Sequence, residues 1–281
     1  MKEFNGRVAA ITGASSGIGR ALALELASRQ CDLALCSHSN QAALAETADL
    51  ASRYGVRVTT CKVDVANRDQ VHAWAEQVAE RHGQVNLVIN NAGVACAGTV
   101  DSTAYTDYEW IMAINFWGVV HGTKAFLPYL EAAGEGHIVN ISSIFGLFSQ
   151  PGMSAYNASK FAVRGFTESL RQELDLVKNG VSATCVHPGG VRTNIAAAGR
   201  VSDSLQYITG SGEVDARRNF ERLLRTTPEV AARQILEGVQ RNARRVLIGA
   251  DARAADGVQR LLPSLYQSLV TTGMKLVRKA A

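Results

Sequence analysis

Tyr156 and Lys160 stand four residues apart in the run Tyr156-Asn157-Ala158-Ser159-Lys160, which puts both side chains on one face of a helix about one turn apart. A phenol can give a proton to an alkoxide or take one from an alcohol, provided its acidity is raised. Free tyrosine titrates near about 10, and bringing it to about 7 takes roughly 4 kcal/mol of selective stabilisation of the phenolate. A fixed ammonium group nearby can supply that. The bare pattern is also that of an ordinary half-exposed surface pair, so its meaning depends on what surrounds it. Ser143, thirteen residues before Tyr156, follows a β-branched run and can donate a hydrogen bond to a substrate oxygen as charge develops there. Its rival is Ser142, which in an extended chain points to the opposite side.

The second constellation is Thr12-Gly13-Ala14-Ser15-Ser16-Gly17-Ile18-Gly19, set between an apolar strand-like run and a helix-like segment beginning Arg20-Ala21-Leu22. Its glycines let the backbone turn tightly and approach a pyrophosphate, whose charge is favoured by the N–H groups and dipole at the helix start. Gly13, Ser15, Ser16, Gly17, Ile18 and Gly19 are the candidate contacts of a dinucleotide.

The glycine spacing is G-x-x-x-G-x-G. Asp64-Val65, Asn90-Asn91-Ala92-Gly93, Asn115, Ser143, Tyr156 to Lys160 and Pro188-Gly189 to Thr193 follow in order. With these motifs the sequence resembles the short-chain dehydrogenase/reductase family over about residues 6–250. The resemblance implies an NAD(P)-dependent oxidoreductase that moves a hydride between a nicotinamide ring and a carbinol or carbonyl carbon. It makes Tyr156 the acid/base and Lys160 its charge partner and a ligand of the nicotinamide ribose. It makes Ser143 the donor to the substrate oxygen, and Asn115 the asparagine whose carbonyl orders a water toward the lysine. Asp64, with Val65 beside it, would hold the adenine amino group, although Asp after a strand is also a common turn or cap residue. Asn91, Ala92 and Gly93 would line the adenine ribose side. Backbone groups at Pro188, Gly189 and Val191 and the Thr193 hydroxyl could reach a carboxamide and so fix the face of the ring.

An acid at the end of the second strand would bind the adenosine ribose hydroxyls and repel a 2′-phosphate. The segment reads Leu35-Cys36-Ser37-His38-Ser39-Asn40, with Ser37 where that acid would align. Ser15, Ser37, His38 and Arg20 could serve a 2′-phosphate, so NADP(H) is favoured over NAD(H). The other reading is NAD held through Ser37 alone.

The elements that must position these residues follow from periodicity. Short β-branched runs at residues 8–12, 33–36, 56–62, 87–90, 136–141, 182–187 and 246–248 alternate with amphipathic segments at 16–29, 40–54, 69–83, 106–133, 155–178 and 228–241. The expected fold is α/β: a Rossmann-like, doubly wound, seven-stranded parallel sheet with helices on both faces and ligands at the strands' carboxyl ends. Residues 1–250 read as the dinucleotide-binding catalytic domain, 194–227 within it as a mobile substrate flap, and 251–281 as a C-terminal helical extension.

The chain has 281 residues, 47% apolar and 19% charged, which fits one large folded domain. The net charge of +4 is scattered, which argues against a nucleic-acid partner. Cys31, Cys36, Cys61, Cys96 and Cys185 form no CxxC pair, and His121 and His187 have no second ligand at a useful spacing, so no metal is expected and a reducing cytoplasm fits best. No apolar run reaches the ~20 residues of a bilayer span. Phe145, Leu147, Phe148, Met153 and residues 94–97 should border the substrate; they are apolar and lack arginine, which points to a hydrophobic alcohol, ketone or aldehyde. Val258, Leu261, Leu262, Leu265, Leu269 and Val270 have helical spacing and precede Lys275, Arg278 and Lys279. This helix is expected to cover its own fold, the substrate pocket or a neighbouring subunit in preference to a membrane surface. The resemblance implies a homodimer or homotetramer joined through the helices of Asn115 and Tyr156. A non-catalytic dinucleotide sensor would keep the glycine turn but would not need Ser143, Tyr156 and Lys160. A methyltransferase would leave the Asn90 to Gly93 run without a role.

Overall fold

The computed structural model describes residues 1–195, 198–210 and 224–280. In chain order the elements are β1 (Val8–Thr12), α1 (Gly17–Ser28), β2 (Asp32–Ser37), α2 (Gln41–Ser52), β3 (Val58–Lys62), α3 (Arg68–His82), β4 (Leu87–Asn90), β5 (Cys96–Ala97) and α4 (Tyr105–Met112). A π turn (Ala113–Trp117) leads into α5 (Gly118–Ala132), then come β6 (Gly136–Ile141), a 3₁₀ turn (Ile144–Gly146), α6 (Ser154–Val177) and β7 (Val181–Pro188). β8 (Arg200–Val201), α7 (Leu205–Thr209), α8 (Pro228–Gln240), β9 (Arg245–Ile248), α9 (Ala250–Leu261) and α10 (Tyr266–Ala280) follow.

Seven strands form one parallel sheet in the order β3-β2-β1-β4-β6-β7-β9. Buried on both faces, the central strands are near-continuous apolar runs, as β1 shows with all five residues buried, whereas the edge strand β3 has no buried residue. Successive side chains alternate between the layers: Ala9 and Ile11 pack with Leu22 and Leu26 of α1 and Ile235 of α8, while Ala10 faces Trp74 of α3, Phe126 of α5 and Leu170 of α6. The strand order reverses between β1 and β4, so the turns after these two strands open into one crevice at the carboxyl edge.

Two expectations change, and a third stretch gains detail. The helix expected over 106–133 is broken by the π turn at Ala113–Trp117, where the Gly118 N–H donates to the Ala113 carbonyl, one residue further back than in an α-helix. The tail is two helices, α9 and α10, parted at Pro263, whose missing N–H and fixed φ stop the first. Residues 194–227, expected as a flap, hold β8, paired in parallel with β5, and the short α7; residues 196–197 and 211–223 of that stretch lie outside the described residues.

Two sheet histidines give the fold an acid limit. His137 in β6 bonds Thr184 Oγ1 (2.8 Å) and His187 in β7 bonds the Ser143 carbonyl (2.9 Å), each with its other ring nitrogen buried and without a partner among the described residues. Burial drives His137 down to about 3 and His187 to about 4 from an ordinary 6.5. Below pH 6.5 the unfolded chain therefore takes up protons that the folded chain refuses. This stability is complete above 6.5 and drains as pH falls through 4 toward 3, a loss on the order of a few kcal/mol. Thermal melts should show a midpoint that falls steadily from pH 6.5 to 4. A midpoint that stayed flat over that window would contradict the assignment.

Candidate active site

β6 ends one residue before Ser142 and Ser143, whose side chains part as extended backbone requires. Ser142 Oγ turns into the protein and donates to the Lys160 carbonyl (2.8 Å), so the rival serine is a tie between the loop and α6. Ser143 Oγ turns to the crevice and accepts the Phe145 N–H (3.1 Å) at the head of the 3₁₀ turn. Tyr156, in the first turn of α6, is 8% exposed; its ring meets Phe145 edge-on at 6.1 Å, and Ser143 is the polar side chain that acts on its phenol. Burial pushes the phenol above its ordinary 10.0, and the Ser143 hydrogen bond pulls the other way. Lys160 Nζ lies 5.7 Å from the Tyr156 ring centroid and donates to the Ile141 carbonyl (3.1 Å). Burial lowers it to about 8, so the ammonium form still dominates at neutral pH.

Asn115 sits in the π turn, fully buried, and its amide clamps one residue of the neighbouring strand-end loop. Oδ1 accepts the Val94 N–H (2.8 Å), while Nδ2 donates to the Val94 carbonyl (3.0 Å) and to Ser159 Oγ (3.0 Å) of α6. Gly93 closes the group. A Cβ there would stand 3.2 Å from Asn115 Oδ1 and 3.4 Å from Lys160 Nζ, so Asn115, Gly93 and Lys160 converge on one spot.

Across the crevice, Asn91 Nδ2 donates to the carbonyls of Thr12 (2.9 Å) and Gly13 (3.2 Å), while Thr12 Oγ1 accepts the N–H groups of Asn91 and Ala92. Gly13 turns at φ +67°, and a Cβ there would meet Ala92 Cα at 2.9 Å. Ser16 is extended before α1 and its side chain makes no cap, whereas Asn40, Asn67 and Thr227 cap α2, α3 and α8. Among the described residues, the first N–H groups of α1 thus have neither an intrahelical nor a side-chain acceptor, a cradle of donors that fits a pyrophosphate. Ile18 packs on the core beneath. Ser37 Oγ at the end of β2 donates to Ser15 Oγ (3.1 Å), and His38 beside it is exposed. Arg20 is already engaged, both guanidinium ends reaching Glu46 (2.7 and 3.3 Å). One Asp64 oxygen accepts the Ala66 N–H (3.0 Å), a turn role, which leaves the other carboxylate oxygen available; Val65 is buried beside it, close against Gly118.

The run after β7 is tied down by partners that sequence reasoning missed. Gly189 N–H donates to Ile248 O (3.0 Å), Gly190 N–H to the Asp251 carboxylate (2.5 Å), and Val191 bridges Thr226. The Thr193 methyl lies 3.0 Å from where a Cβ of Gly17 would stand, so the run folds over the glycine turn. Asp251 is the first-turn acid of α9, and nothing in its local pattern marks it as a partner of a loop sixty residues away.

On the substrate side, Met153, Cys96, Ile111 and Tyr156 share one apolar cluster that also holds Val94, Ala95 and Phe145. Leu147, expected to border the substrate, is instead 1% exposed and part of the packing. Phe148 carries the aromatic row outward from Phe145 (5.4 Å) to Tyr266 of α10 (6.1 Å), and the Tyr266 hydroxyl accepts the Ser149 N–H (3.3 Å). The C-terminal helix therefore braces the loop that carries Ser143, a contact with no local sequence signal. Arg200 of β8 pairs with Asp107 (2.6 Å) and lies over Trp110 at 3.9 Å, anchoring that stretch to α4. His121 bonds the Val65 carbonyl (3.1 Å) and stacks on Trp117, and among the described residues no group of three or more His, Cys, Asp or Glu could hold a metal.

Known proteins share this fold. The sequence profile of the short chain dehydrogenase family matches residues 7–202. The protein SadH of Mycobacterium tuberculosis is 48% identical over 98% of this chain and 97% of its own. Dehydrogenase/reductase SDR family member 7B of Danio rerio is 33% identical over 92% of this chain and 83% of its own. The crystal structure of a short chain dehydrogenase/reductase from Burkholderia phymatum in complex with NAD superposes with a TM-score of 0.85 at 33% identity, covering 95% of this chain and 97% of that one. The chain belongs to the short-chain dehydrogenase/reductase family of oxidoreductases.

Proposed function

We propose that the chain interconverts a hydrophobic alcohol and its ketone or aldehyde by hydride transfer, with Tyr156 as acid/base. The convergence of Tyr156, Ser143 and Lys160 beside the uncapped glycine turn carries this reading. A nicotinamide dinucleotide bound there supplies or accepts the hydride. Tyr156 Oη gives its proton to the substrate oxygen in reduction and takes one from it in oxidation, while Ser143 Oγ donates to the same oxygen. The Lys160 ammonium stabilises the phenolate; with one N–H on Ile141 it keeps two for a ribose. Because the Asn115 side chain is spent on Val94 and Ser159, the water-ordering role falls to its backbone carbonyl in the π turn.

The preference proposed is NADP(H). No carboxylate ends β2, where the Ser37–Ser15 pair and the exposed His38 stand instead. Arg20 can exchange its exposed Glu46 for a phosphate at small cost, since water screens a surface pair of this kind. NAD in the Burkholderia phymatum relative is the counterweight. In this reading residues 1–250 are the catalytic domain, 194–227 the substrate flap and 251–281 an extension. The chain works as a cytoplasmic homodimer or homotetramer, which the exposed Trp117 and Phe161 on the helices of Asn115 and Tyr156 support. Among the described residues no helix is long and apolar enough to cross a membrane.

The deciding experiment follows absorbance at the reduced-nicotinamide band with both cofactors and a panel of alcohols and ketones. Long-chain or cyclic substrates should outrun small polar diols, and NADPH should bind more tightly than NADH. NADH binding about tenfold or more tightly, a difference of about 1.4 kcal/mol, would reverse the cofactor assignment. Tight cofactor binding with no turnover of any carbonyl would favour a sensor.

A further inference from the structure

α10 has two apolar faces and the protein uses one. Tyr266 is buried, and Val270 and Met274, four and eight residues on, are half-buried along the same side. Leu265, Leu269 and Leu276 form a second stripe at spacings of four and seven; together with Leu261 at the end of α9 they are between 56% and 82% exposed. A row of leucines open to water marks a surface that another phase or molecule covers.

Charge selects among the coverings. From residue 257 to 281 the sequence holds Arg260, Lys275, Arg278 and Lys279 and not one Asp or Glu. Arg260 is paired with Asp256 (2.8 Å), whereas Lys275 and Arg278 are exposed near the end of the helix. A second copy meeting this face by two-fold symmetry would bring cations toward cations with no acid in either segment to pair them. An anionic bilayer meets both demands, taking the leucines into its acyl boundary and the ammonium and guanidinium groups among its headgroups.

We propose that the exposed leucine face of α9 and α10 docks the folded protein on an anionic lipid surface. The helix lies in the interface plane and the body stays in water. The docking does not depend on the proposed reaction. It has a consequence for it, because Tyr266 on the inner face of α10 holds Phe148, so a docked tail sets the substrate loop beside the acyl boundary.

Flotation of the full chain with phosphatidylglycerol-containing and pure phosphatidylcholine vesicles tests this. The bound fraction should be at least about tenfold higher on the anionic vesicles and should fall as salt rises. Leu265→Gln with Leu269→Gln, both at exposed positions, should abolish flotation while leaving the melting temperature unchanged. The proposal is overturned if the wild-type chain does not float on anionic vesicles, or if the double variant floats as well as wild type. It is equally overturned if the substitutions lower the solution mass of a chain that never floats, which would assign the face to a second copy.

Discussion

Tyr156→Phe is expected to lower turnover by roughly 10²–10⁴-fold, the range that a positioned acid/base supplies, with dinucleotide affinity retained. The substitution removes only the hydroxyl. The ring stays edge-on to Phe145 within the cluster of Cys96, Ile111 and Ala155, and Ser143 Oγ still accepts the Phe145 N–H. Stability should therefore change by about 1 kcal/mol, the net worth of one hydrogen bond. Lys160→Met separates proton transfer from packing. Burial already holds the Tyr156 phenol above 10.0, and Lys160 is the cation that lies over its ring. Without that ammonium the phenolate becomes harder to form, so the alkaline rise of the oxidation rate should move to higher pH, while reduction, which needs the phenol, is affected less. Steady-state rates across pH in both directions check this. Wild-type turnover in Tyr156→Phe would remove the tyrosine from the mechanism.

The sheet was legible because both of its layers must be filled. Central strands buried on two faces read as apolar runs and the edge strand β3 as the β-branched Val58-Thr59-Thr60, and each of the seven lies within two residues of where these runs place it. The same physics hides β5 and β8, since two residues carry no periodicity and their pairing depends on the fold around them. The π turn escapes for a different reason: the 106–133 stretch keeps its helical pattern, and the skip is seen only where Asn115 reaches Val94 on another element. The break in the tail is missed because the helical spacing from Val258 to Val270 continues across Pro263. Motif spacing brought Tyr156, Lys160, Ser143 and the glycine turn to one crevice. The residues that brace them, Asp251 against Gly190 and Tyr266 against Ser149, are linked across 61 and 117 positions, distances over which no local pattern operates.

Gly19→Ala should weaken dinucleotide binding by about 100-fold or more while the sheet stays folded. Gly19 is helical and has ordinary backbone angles, so the substitution acts through space alone. Its added Cβ would run into the Gly13 carbonyl oxygen and come within 2.5 Å of Asn91 Nδ2. Both are fixed, the carbonyl by the positive φ of Gly13 and the amide by its bonds to Thr12 and Gly13. Relief requires the turn to lift away from α1, which pulls its N–H groups out of line for an anion. Losing one or two hydrogen bonds to a charged group costs about 3 kcal/mol or more, near 100-fold in affinity. Overpacking of this kind costs about 1–3 kcal/mol of stability, enough to lower the melting temperature without unfolding the chain. Gly257→Ala in α9, where a Cβ meets nothing within 4 Å, is the control and should bind as wild type does. Fluorescence titration of both variants, with circular dichroism to establish folding, separates the outcomes. If a folded Gly19→Ala chain bound cofactor with wild-type affinity, the pyrophosphate would lie elsewhere than on this turn.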